Sequence, residues 1–93
     1  MHIELMVVTF QLDGCRSLKE KRSRLSGIRD RLGKQPNLAV CQSDYQDEHQ
    51  RAQWAFVAVA SNKTVVERIL NSVEEAVDSD YDAVVVDSHR ETL

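Results

Sequence analysis

The residues of this chain that can do chemistry are mostly bases, and they are bunched. Between Arg16 and Lys34 lie eight bases (Arg16, Lys19, Lys21, Arg22, Arg24, Arg29, Arg31, Lys34) and two acids, Glu20 and Asp30, a net of +6. The remaining four bases and thirteen acids net −9, so the whole chain stands at −3. Clustered guanidinium and ammonium groups neutralise phosphates and release counterions, which gives salt-dependent affinity for nucleic acid. A helix starting in this segment would add backbone N–H donors around Arg16 to Lys19. Arg16, Lys19, Lys21, Arg22 and Arg29 are therefore candidate RNA-contacting residues, joined by Arg51 from a second segment. Tyr45 is the aromatic placed among polar residues, where its ring can stack on a base. The competing account pairs these bases with acids of the body, Asp44 and Asp47 foremost. On that account Lys21, Arg24 and Arg31 lay their stems along apolar surface.

Other reactive types are sparse. Asp44, Asp47, Glu48 and His49 fall in one short stretch, but at no metal-binding spacing, and Asp44 and Asp47 read as turn-closing side chains. Cys15 precedes a helix start, where a thiol pKa is often lowered, yet it has no His beside it. Cys41 reads as a buried strand residue. His2 and His89 are expected as neighbours across the first and last strands, and two ligands do not make a metal site. No catalytic constellation, metal site or cofactor site is expected.

Six elements must position these groups. Residues 2–12 alternate, with Met6, Val8, Phe10 and Leu12 on one face of a strand. Ser17-Leu18-Lys19-Glu20 has capping-box spacing, with Glu20 reaching back to the Ser17 N–H. The helix it opens is expected to reach about Leu32 on the stripe Leu18, Leu25, Ile28, Leu32, with Gly33 closing it and Pro36 preventing resumption. Residues 37–45 and 51–60 read as two strands of a hairpin. Asn62 caps a second helix over about 63–77, with Val65, Val66, Ile69, Leu70, Val73 and Val77 as its apolar stripe. Residues 82–89 form the last strand.

The order β-α-β-β-α-β over residues 1–93 predicts a single α+β domain, the ferredoxin-like βαββαβ plait. Its four-stranded antiparallel sheet carries two helices on one face. Right-handed crossovers place the third strand between the first and second, and the first between the third and fourth. The first two strands then end at one edge of the domain. Arg16, Lys19, Asp44, Gln46, Asp47, His49, Gln50 and Arg51 are drawn together there. The helix-free face is expected to carry Val7, Thr9, Ala55, Val57, Val59 and Val85, an apolar patch suited to homodimerisation. The alternative register turns Trp54 and Phe56 outward.

Bulk properties set the frame. The chain has 93 residues, 42% hydrophobic and 29% charged, with 3 Gly and 1 Pro, which excludes disorder and a many-turned all-β fold. Its longest apolar run, Trp54 to Ala60, is far short of a membrane span. The start Met1-His2-Ile3-Glu4 lacks the pattern of an export signal, so a cytoplasmic protein is expected.

Two stretches resemble a known family. Gly14-Cys15-Arg16-Ser17-Leu18-Lys19-Glu20-Lys21-Arg22 is similar to its "ARSLKEKR" segment, and Asp44 through Ala52 to its "DHQDxxQRA" segment. The family is the YlxP-like one, domain of unknown function 503. The resemblance covers the whole chain, with Cys15 where Ala is usual and Tyr45 where His is common. It implies a small bacterial protein of ferredoxin-like fold, with no established activity and an association with translation genes. The resulting expectation is a non-catalytic protein that meets ribosomal RNA or the ribosome through its basic first helix. The alternatives are a homodimeric interaction module and a small-ligand or metal-binding domain at the shared edge.

Overall fold

The computed structural model describes residues 1–93. The alternating chemistry of the first segment gives strand β1, His2–Gln11, and its inward residues Met6, Val8 and Phe10 are wholly buried. Arg51–Ala60 forms β3, antiparallel to β1 from His2↔Ala60 to Gln11↔Arg51 without a break. In β3, Ala52, Trp54, Phe56, Ala58 and Ala60 point inward. This is the register in which the large aromatics enter the core. Leu38–Asp44 is β2 and Val84–Thr92 is β4, so the sheet order is β2-β3-β1-β4, all antiparallel. With one helix in each crossover, this is the expected ferredoxin-like plait.

The long helix α2, Lys63–Ser79, begins at Asn62, whose side-chain oxygen accepts the Val65 N–H at 3.0 Å. Its stripe Val66, Leu70, Val73 and Val77 is buried on the inward faces of β1 and β3. Arg90 of β4 pins the sheet to this helix, 2.9 Å from both Asn71 and Glu74.

The first helix departs from expectation. Helix α1 covers Leu18–Arg24 only. The chain then turns at Gly27, in the left-handed region at φ 94°, and continues as a single wide π-type turn, Ile28–Leu32. A Cβ is strained at that φ, so Gly27 ends the helix. The apolar stripe survives the break, because Leu25, Ile28 and Leu32 all still reach the core. Gly33 is not a left-handed cap, since its φ is −68°. It is glycine because a Cβ there would collide with the Arg29 carbonyl oxygen.

Three other expectations are corrected. A bulge between the Thr9 and Phe10 pairings leaves Val86 without a partner on β1. Val85 therefore lies opposite Phe10 and packs on the core instead of joining the helix-free face. His2 pairs with Ala60 and His89 with Val7, so the two histidines stand about five strand residues apart, roughly 16 Å. Cys41 is exposed.

Candidate functional site

The shared edge forms as the topology requires. Leu12 N–H donates to Gln50 O at 2.9 Å and Gln50 Nε2 to Cys15 O at 3.4 Å. These bonds tie the β1–α1 loop to the β2–β3 hairpin. The main fastener is Lys21. Its side chain crosses from α1 to the hairpin, where Nζ donates to Tyr45 O and Glu48 O, both at 2.6 Å. Lys21 is only 3% exposed, and burial lowers its pKa from the ordinary lysine value. The ammonium fills the concave side of the turn closed by the Glu48 N–H to Tyr45 O bond. It has no face to offer a phosphate, so Lys21 belongs to the scaffold and not to the basic surface.

The helix N-terminus is also taken. Ser17 Oγ accepts the Glu20 N–H at 3.0 Å, and Glu20 reaches back one residue further than expected, accepting the Arg16 N–H at 3.0 Å. The carboxylate supplies the anion that the helix start attracts. Hydrogen bonds from Cys15 and from the Arg16 amide lower the Glu20 pKa. Cys15 shows the converse. Burial and the neighbouring Glu20 raise its thiol pKa, opposite to the shift an activated nucleophile needs.

The remaining bases of the first crossover and the shared edge sort into three groups. Arg24 and Arg31 are paired, Arg24 with Glu20 and Asp82 at 3.6 Å and Arg31 with Asp80 at 3.4 Å. Arg51 lies over the Tyr45 ring at 4.5 Å, so one face of that aromatic is already stacked by a cation. Tyr45 sits at φ 61°, stabilised by the Asp44 carboxylate accepting its N–H at 2.7 Å. The third group is Arg16, Lys19, Arg22, Arg29 and Lys34, all exposed and none in an ion pair. Asp44 and Asp47 form no ion pairs either, so the internal neutralisation they were expected to give is not seen at these bases.

The structure also assembles a feature that no periodic sequence pattern announces. The break at Gly27 leaves a groove of about 470 Å³ between the first helical segment and the sheet. Leu18, Lys21, Arg22 and Leu25 line it from α1, Gly27, Arg29 and Asp30 from beyond the break, and Gln42, Gln46 and Trp54 from the strand side. The Arg29 guanidinium lies over the Trp54 ring at 5.7 Å. Trp54 is 7% exposed, and its Nε1–H is sealed from solvent without an acceptor. The Ser26-Gly27 pair inside the helical pattern is the sequence signal that marks this opening. No group of three or more His, Cys, Asp or Glu side chains is arranged to hold a metal. No helix is long and apolar enough to cross a membrane.

Fold and site together define a ferredoxin-like α+β protein with a basic, largely unneutralised face on its first crossover. Residues 3–90 match the family described as "Protein of unknown function (DUF503)", and the chain belongs to that family. It is 36% identical over 63 residues to the uncharacterized protein YlxP of Bacillus subtilis (strain 168), covering 68% of each chain. The fold is similar to the crystal structure of a protein provisionally assigned as a chlorite dismutase, with a TM-score of 0.57 and 13% identity. That similarity covers 99% of this chain and 44% of the other, and it concerns the fold alone.

Proposed function

We propose that this protein is a non-catalytic RNA-binding protein whose partner is structured RNA, ribosomal RNA foremost. The observation that carries the reading is the set Arg16, Lys19, Arg22 and Arg29, four exposed bases on one crossover with no carboxylate paired to them. Exposed bases held only by mobile counterions release them when a polyanion binds, which gives such a surface its affinity for phosphates. Arg51 and Tyr45 extend the surface along the shared edge. Phosphate contacts tolerate sequence changes, so affinity falls steeply with salt and little with RNA sequence. Co-sedimentation with ribosomal subunits across a salt series tests this. Arg16→Ala and Lys19→Ala each lower the salt slope by about one unit. Binding that is absent at low salt, or equal in all variants, overturns the proposal.

A second observation favours a homodimer. The helix-free face carries three consecutive apolar cross-strand pairs, Ile3↔Val59, Leu5↔Val57 and Val7↔Ala55. All six residues keep partial exposure in the single chain. A second copy packed face to face would cover this stripe and leave both basic crossovers outward. Sedimentation of wild type and Val57→Glu separates the outcomes. A dimer converted to a folded monomer supports the assembly, and a wild type monomeric at micromolar concentration removes it.

A further inference from the structure

We infer that the groove beside Gly27 binds one nucleotide unit, with its base stacked on the Arg29 guanidinium and its phosphate held by Arg22. The inference rests on reading the basic face as a nucleic-acid surface, and it names what that surface recognises. The groove's volume of about 470 Å³ is that of a small-molecule site. Its walls are mixed in the way a nucleotide requires. Arg29 lies near the Trp54 ring, 5.7 Å from its centroid, and is itself exposed in the lining, so its guanidinium is available to a second flat group. Guanidinium planes are regular stacking partners for unpaired bases. Arg22 brings a second guanidinium free of any carboxylate; its Nε donates weakly to Leu18 O at 3.3 Å. The Gln42 side-chain amide makes no hydrogen bond within the chain and can both donate and accept, as the edge of a base demands.

One further feature narrows the ligand. Asp30 is the one carboxylate in the lining, which sets a limit on anionic charge and favours a monophosphate over a polyphosphate. The same chemistry is offered by a free mononucleotide and by one unstacked residue of an RNA strand.

Trp54 is the chain's one tryptophan, so its indole gives a single Nε1–H cross-peak in a ¹H–¹⁵N spectrum. That peak is followed while adenosine 5′-monophosphate, adenosine, inorganic phosphate and a short single-stranded RNA are added in turn. The expected result is a saturable shift with the monophosphate and at least tenfold weaker binding of adenosine and of phosphate alone. Arg29→Ala and Gln42→Ala each weaken the monophosphate at least tenfold, whereas Lys63→Ala, on the other helix and outside the groove, leaves it unchanged. Tighter binding of the RNA than of the monophosphate identifies a strand as the source, and the reverse order identifies a free nucleotide. No saturable shift up to about 10 mM monophosphate, weaker than any useful site, overturns the inference. A shift that Arg29→Ala retains in full does so too. If salt-dependent RNA binding persists in that case, the basic face keeps its role and only the groove loses its ligand. If the protein also fails to co-sediment with ribosomal subunits at low salt, both readings fall.

Discussion

Replacing Lys21 by Met tests whether a buried ammonium holds the β2–β3 hairpin in place. The side chain is 3% exposed and its two bonds, to Tyr45 O and Glu48 O, are both 2.6 Å long. Bonds to a charged donor contribute about 1.5–3 kcal/mol each, so the pair supplies roughly 3–6 kcal/mol. Two effects oppose the full loss. Taking the ammonium out of water has a desolvation cost, seen in its lowered pKa, and Met relieves it. Tyr45 O keeps the bond it accepts from the Glu48 N–H, so it is not left without a donor. A net destabilisation of about 2 kcal/mol remains, or roughly 8–16 °C in Tm for a domain of this size. The control is Lys19→Met on the exposed side of the same helix, expected within about 0.5 kcal/mol of wild type. Denaturant unfolding gives the energies. Hydrogen exchange at the Glu48 and Leu12 amides locates the loss, since both bond to or within the hairpin. If Lys21→Met is as stable as Lys19→Met, with those amides equally protected, the ammonium does not hold the hairpin.

Other expectations follow from the same geometry. The Glu20 pKa lies below the ordinary 4.5 because Cys15 and the Arg16 amide bond its ionised form, so its stabilisation is present above 4.5 and fades as pH falls through the lowered value. The stability gap between wild type and Glu20→Gln is therefore widest near neutral pH and closes in acid; a pH-independent gap contradicts this. Gly27→Ala costs about 1–2 kcal/mol through its positive φ, measurable by denaturant unfolding. Gly33→Ala costs more, because its Cβ meets a backbone carbonyl that cannot rotate away. Val85→Asp destabilises strongly, whereas Val84→Asp, at a site 57% exposed, changes thermal stability little; equal effects would place the β4 bulge elsewhere.

How far the sequence leads depends on whether a signal is local and periodic. The alternation in Met6, Val8, Phe10 and the capping pattern at Asn62 are such signals, and β1, β3 and α2 appear where they point. The stripe Leu18, Leu25, Ile28, Leu32 is periodic too, yet it fits a continuous helix and a broken one equally well. Gly27 decides between them by a dihedral angle that apolar spacing does not report. Lys21 is a stronger case. Its partners are backbone carbonyls 24 and 27 residues away, and carbonyls have no residue type to recognise. In β4, one extra residue at Val86 reverses the facing of Val85, although the run Val84-Val85-Val86 reads the same in either register. The groove leaves no periodic trace because it depends on the helix break. Trp54 alternates with Phe56 as a core residue should, and only the shortness of α1 leaves its ring beside an opening.

The strand order β2-β3-β1-β4 leaves two rims of unpaired backbone, and they are unequally protected. Along β4 the bulge at Val86 and the charges of Asp87, Arg90 and Glu91 discourage an incoming strand. Along β2 no charged side chain or proline occurs from Leu38 to Ser43, and the bulge comes only at its far end, between Gln42 and Asp44. Aggregation under stress is therefore expected to begin at β2. Cys41 stands exposed midway along that rim, so two chains meeting there bring free thiols close together, and in oxidising conditions a reversible contact becomes a covalent one.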